Sequence, residues 1–344
     1  MCACQNPENF EAATAKSDVC AWAWSYFIVA AGHSGALTEN KVVHASLLWR
    51  GRIQKMDKQE KNRYVFSGHE SFPCKSLWLK KGYDFIKDGH DFNSPDAVIH
   101  LGVGKNMVTA IRYWLKAFSL IEDNKPTAMA DYLFDSETGK DPFLEDSGTL
   151  WLLHFLIVHS RIASLYSLFF VDYQKERKEF EREHILNFIK RKMVEQGSEK
   201  LFNPNTVKKD IGVLFQNYTL PHAPQSHEEY SNLLIDLDLL RQKEENKTYY
   251  FNVDGKRQIP PHCFLFALLS DVDSGNFSIS FDQLQELGLV FCMNNLEILE
   301  MAKKLADLYP DALAYNDVAG VRQLQIIHSL DKMNVLDRYY ESVL

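Results

Sequence analysis

What is missing from this 344-residue chain narrows the choices first. There is no CxxC pair. The six cysteines are Cys2, Cys4, Cys20, Cys74, Cys263 and Cys292, and past Cys20 they stand far apart. A zinc site or disulfide framework is therefore not expected, and a reducing cytoplasm is the expected setting. There is no excess of positive charge either. Lysine and arginine total 38 against 46 acids, a formal net charge of −8, which excludes a uniformly basic nucleic-acid coat. Any contact with DNA must come from local patches. Nor is there a long unbroken apolar run. The longest stretch, Thr149 to Val171, is interrupted by His154, His159 and Arg161, whereas a membrane span needs about 20 mostly apolar residues. Buried core helices are expected there, and no membrane partner.

What is present is ordinary globular composition: 46% hydrophobic and 24% charged residues, in a length that suits two or three packed domains. Residues 1–55 stand apart. They hold Cys2, Cys4 and Cys20 and lack the amphipathic period seen later. The run from Cys20 to Ala31 resembles a signal-peptide core, but Glu8, Glu11 and Asp18 precede it where a basic start is wanted. The expectation is an extension at 1–55, disordered or not native, with Met56 as the true start.

The orderly sequence after Met56 divides into four blocks. The first, 56–124, reads as a helix-turn-helix domain. A helix begins near Ser76. Asn93-Ser94-Pro95 is a helix-start signal, a capping side chain followed by proline. The short helix Asp96–Leu101 then breaks at Gly102-Val103-Gly104. A second helix, Lys105–Leu120, carries Met107, Ile111, Trp114 and Phe118 at one-face spacing, widened by Val108 and Leu115. Its other face holds Thr109, Arg112, Tyr113 and Lys116, and it contains no acid. Block 125–175 reads as a helical connector and core. Block 176–259 reads as a winged-helix domain. Its helices are expected at Phe180–Val194, from a cap at Asn203-Pro204 through Tyr218, and at His227–Leu237, and a β wing turns around Glu244-Glu245-Asn246. Block 260–344 reads as a C-terminal α/β, winged-helix-like domain, with helices near 261–270, 281–287 and 294–308 and a hairpin turning near Ala319-Gly320. The fold class expected is mainly α with small β wings, as tandem winged-helix or helix-turn-helix modules.

Several motifs bear on chemistry. Gly102-Val103-Gly104-Lys105-Asn106 imitates a phosphate loop but fails it, because Ile99 and Asn106 stand where glycine and Ser/Thr are required. The candidate DNA contacts are Lys105, Asn106, Thr109, Arg112, Tyr113 and Lys116. Arg and Asn can read base edges and Lys mainly meets phosphate; the plainer alternative is a solvated face used for protein contacts. Lys208 and Lys209, near a helix start, are candidates for backbone phosphate. His69-Glu70 pairs an imidazole with a carboxylate, yet adjacent side chains point apart more often than together, so a structural loop is favoured. Asp141, Glu145 and Asp146 are candidate metal ligands, and catalytic ones if the protein cuts DNA, with Mg or Mn as the cation. Capping of the next helix is the commoner use of such carboxylates. His154 and His159, five apart, fall on different helix faces and read as hydrogen-bonded core residues.

Three segments in order, FSGHESFPCKSLWLKKGYDFI, LGVGKNMVTAIRYWLKAF and DPFLEDSGTLWLLHFL, resemble a bacterial domain-of-unknown-function family of DNA phosphorothioation and phage-defence operons. The resemblance runs from about Tyr64 to Leu344. The B component of the Ssp single-strand phosphorothioation system is similar and is associated with nicking DNA. The resemblance implies a cytoplasmic role beside a cysteine desulfurase, an ATPase and a sulfur transferase, and it assigns no catalytic residue here. The expected function is thus a DNA-binding component of a phosphorothioate modification or defence system, with strand nicking as its possible chemistry. The alternatives are a non-catalytic protein–protein adaptor and a winged-helix transcriptional regulator.

Overall fold

A computed structural model describes residues 64–221, 231–243, 247–271, 277–318 and 320–343. The extension expected at 1–55 lies outside the described residues. In the first block, α1 (Trp78–Lys87) buries Trp78, Leu79, Tyr83 and Phe85. α2 (Ala97–Leu101) ends where Gly102 turns left-handed at φ 58. α3 (Lys105–Ala117) then starts after Gly104. The apolar spacing holds: Val108, Ile111, Trp114 and Leu115 are buried on α3. The helix stops three residues short of Leu120, with Ser119 left-handed beyond it. Asn93 does not cap α2; Asp96 precedes it, without a side-chain cap bond.

A two-stranded hairpin follows that the sequence reading did not contain: β1 (Ile121–Glu122) pairs with β2 (Lys125–Pro126). Asp123 and Asn124 between them are both left-handed, at φ 48 and 59, the signature of a type I′ turn. α4 (Ala128–Phe134) begins at Thr127, whose hydroxyl accepts the Ala130 N–H.

α5 (Ser147–Ser160) is the hub. Gly148 through Val158 offer no polar face, and all are buried. The chain then bends by 101° into α6 (Ser164–Glu176), part of which, Leu168–Tyr173, is π-helical. Among the described residues no single helix is long and apolar enough to cross a membrane.

In the next block Phe180 lies in a short strand, β3 (Glu179–Phe180), and the helix expected to start there begins at Arg182 instead. A reciprocal cap explains the offset. Glu181 accepts the His184 N–H, and the Glu181 N–H donates to the His184 ring, which fixes α7 (Arg182–Glu195). α8 (Pro204–Tyr218) starts where expected, on the Asn203 side chain and Pro204. The helix expected over His227–Leu237 is not there in its described part. The 3-10 turn Ile235–Leu237 stands in its place. Ser231 and Leu233 are instead bonded through their backbones to Ser76 and Cys74, which removes the groups a helix would use. β4 (Leu240–Gln242) and β5 (Tyr249–Phe251) pair antiparallel and β3 completes a small sheet in the order β3-β5-β4; the turn expected around Glu244-Glu245-Asn246 lies outside the described residues.

The last block contains α9 (Pro261–Asp271), β6 (Ser278–Ser280), α10 (Phe281–Val290), α11 (Asn295–Leu308), β7 (Leu313–Val318), β8 (Val321–Ile326) and α12 (Lys332–Val343). Its sheet has the order β6-β8-β7, antiparallel throughout. Gly320, at φ 82, supplies the left-handed residue of the hairpin turn.

The architecture is mainly α with small antiparallel sheets. Tyr64–Leu344 forms a compact unit, and α12 closes it on the hub. Tyr340 bonds Thr149 at 2.7 Å, and the Tyr339 hydroxyl donates to Asp146 at 2.8 Å.

Candidate nucleic-acid interface

The polar side of α3 is not uniform. Lys105, Asn106 and Thr109 are exposed, whereas Arg112, Tyr113 and Lys116 are half-buried. Arg112 is fastened. Its Nε donates to Asn124 Oδ1 and its Nη1 to Asn93 Oδ1, both at 2.9 Å. The guanidinium thus ties the β1–β2 turn to the segment before α2, with amide oxygens rather than carboxylates as acceptors. Tyr113 packs against Gly68, where a Cβ would overlap its ring. Burial and the nearby Asp210 carboxylate hold its hydroxyl well above the ordinary tyrosine range. The open part of the face is therefore its N-terminal half. The spacing rule located the face correctly and was silent on what would cover it.

The cover is the loop 67–72. Ser67, Glu70 and Ser71 are left-handed without being glycine, at φ 72, 47 and 65. Each costs about 1–2 kcal/mol. A buried latch compensates. His69 Nε2 meets Asp210 Oδ1 at 3.0 Å, and the Ser67 N–H donates to Asp210 Oδ2 at 2.8 Å. The Ser71 N–H donates to His69 Nδ1, so that nitrogen carries no proton and Nε2–H is the donor to Asp210. The ring also stacks on Trp114, at 5.9 Å between centroids. His69 and Glu70 do not work as a pair. His69 is buried, Glu70 is exposed, and the carboxylate that His69 uses lies on α8. That partner could not be read from the sequence, since the two residues are 141 apart. The latch fixes α3 and α8 relative to one another.

On α8 itself, Lys208 and Lys209 are exposed. Lys208 pairs with Glu183 at 3.5 Å. Gly102 and Gly104 serve the turn between α2 and α3, as the failed phosphate-loop pattern suggested.

Asp141, Glu145 and Asp146 are brought together, but as a cap. The buried Asp141 carboxylate accepts the N–H groups of Glu145 and Asp146, at 2.9 and 3.1 Å. Asp146 accepts the Thr149 N–H at 3.1 Å and the Tyr339 hydroxyl. Glu145 points to solvent. Carboxylates committed in this way fit a helix start better than a cation. Among the described residues no group of three or more His, Cys, Asp or Glu is placed to hold a metal ion.

His154 and His159 sit on different faces, as their spacing required. His159 is not the core residue expected: it lies exposed in the last turn of α5 and pairs with Asp271 at 2.9 Å. His154 is fully buried between the Val290 carbonyl and the Tyr218 hydroxyl, each at 2.7 Å. A carbonyl only accepts, so Nε2–H donates to it and Nδ1 accepts from Tyr218. Burial, the largest influence, pushes the imidazole down to about 4.

The profile of a family described as "Protein of unknown function (DUF4007)" matches residues 66–340. A structure described as "Magnesium ion-bound SspB crystal structure" superposes with a TM-score of 0.71 at 25% identity, covering 83% of this chain and 90% of the other. A second, "SspB crystal structure", gives 0.70 at 25% identity over 82% and 89%. Among curated protein sequences there is no match.

Proposed function

The chain belongs to the DUF4007 family, and we propose that it is the DNA-holding component of an SspB-like phosphorothioation defence system. The likeness to SspB supports the system. The observation that carries DNA binding is the exposed start of α3: Lys105, Asn106 and Thr109 lie open on a helix without an acid. In this reading α2–α3 with the β1–β2 hairpin, α7–α8 with β4–β5, and α10–α11 with β7–β8 are three winged-helix modules. They fall in 56–124, with the first hairpin running on to Pro126, in 176–259 and in 260–344, and the rest of 125–175 is their shared core. Each puts a helix pair before a hairpin, the order in which a groove-binding helix precedes a wing. The partners are duplex DNA and the sulfur-transfer enzymes of such systems.

A salt series on a short duplex tests this. Each neutralised phosphate adds about 0.9 to the slope of log K against log salt. Lys105→Ala is therefore expected to reduce the slope by about one. A variant that binds with the parental slope would remove the open start of α3 from the interface. Arg112→Ala is not a clean probe, because it also releases Asn93 and Asn124.

The magnesium ion in one of the related structures favours strand nicking as a second reading. Supercoiled plasmid incubated with Mg²⁺ is then expected to relax to open circle. Product that persists in Asp141→Asn, Glu145→Gln and Asp146→Asn proteins would exclude those carboxylates from the reaction.

A further inference from the structure

α8 has a second exposed face besides its two lysines. Asn205, Lys209, Gly212 and Gln216 follow one another at i, i+4, i+7 and i+11, within a stripe about 60° wide and about 16 Å long. Asn205, Lys209 and Gln216 are exposed and Gly212 is half-exposed, on a helix whose other side, including Val207, Ile211, Leu214 and Phe215, is buried. The side chains of Asn205, Lys209 and Gln216 have no partner among the described residues. The one acid of the helix, Asp210, is turned inward to His69 and Ser67. Lys208, at the edge of the stripe, pairs with Glu183 at 3.5 Å.

Gly212 is the telling residue. A glycine inside a helix is unfavourable relative to alanine and needs a reason. The other glycines inside described helices have one. A Cβ on Gly82 would strike Leu115 and Ile111, one on Gly148 would strike Tyr339, and one on Gly288 would strike Ile298. A Cβ on Gly212 would meet nothing within 4 Å. No packing among the described residues explains the missing side chain. A close approach from outside does.

Resting on the DNA-binding reading above, we infer that this stripe of α8 is a second groove-reading surface. Gly212 lets the duplex come against the helix backbone, Asn205 and Gln216 reach base edges, and Lys209 meets a phosphate. Asn and Gln are the side chains that can both donate to and accept from adenine in the major groove. A protein partner would not require this donor–acceptor pair set astride a bare backbone beside a lysine.

The test separates stability from binding in the full chain. Gly212→Leu places a good helix former in open space, so Tm is expected to rise, by about 2 °C. The same change blocks the approach, so affinity for a mixed-sequence duplex, read by fluorescence anisotropy, is expected to fall about tenfold or more. A residue with a merely structural role would move both in one direction. Asn205→Ala with Gln216→Ala is expected to weaken the base preference recovered from a random-sequence duplex pool, with the salt slope kept. If the parent binds duplex and Gly212→Leu binds equally well, this inference is overturned and the α3 reading stands. If the parent binds no duplex, both fall together.

Discussion

Asp210→Ala is expected to cost about 3 kcal/mol of folding stability in urea denaturation, although the residue lies at no chemical centre. The substitution leaves the Ser67 N–H and the His69 Nε2–H without acceptors, and each such loss costs about 1–3 kcal/mol. It also removes the bond that holds three strained residues left-handed. Asp210→Asn keeps one amide oxygen as an acceptor and should cost about half as much. Glu70→Gly, in the same loop, should raise stability by up to about 1 kcal/mol, because glycine tolerates the backbone that glutamate pays for. An Asp210→Ala protein with the parental midpoint would show that the loop is not latched through α8.

The second large effect is one of pH. His154 is neutral in the folded chain, with its titration lowered from 6.5 to about 4. The unfolded chain takes up a proton below about pH 6.5 and the folded chain does not. Stability is therefore expected to be unaffected by this group above pH 6.5 and to fall as the pH drops from there to about 4, at about 1.4 kcal/mol per unit, or about 3 kcal/mol in all. Below about 4 both forms are protonated and the loss stops growing. In His154→Gln the acid slope should flatten over this window. An unchanged slope would assign the acid sensitivity to other groups.

These two residues show where sequence reasoning reached and where it stopped. Local signals were legible. Asn203-Pro204 started α8, Gly102 ended α2, Gly320 turned the last hairpin, and the apolar period of α3 found its buried side. His154 could be placed in the core because its neighbours are apolar on every side. Distant partners were not legible. Asp210 lies 141 residues from His69, and no periodicity links them. The β1–β2 hairpin was too short for a pattern to register, and Asp123-Asn124 was its one usable sign. The open face of α3 was overestimated for a related reason. Spacing tells which way a side chain points, but a loop arriving from another part of the chain decides whether it stays wet.

The hydroxyls of Tyr339 and Tyr340 lock onto Asp146 and Thr149, 193 and 191 residues earlier. The start of the hub helix thus lacks these partners until α12 has been synthesised, and a nascent chain stalled near residue 330 would leave Asp146 and Thr149 without them.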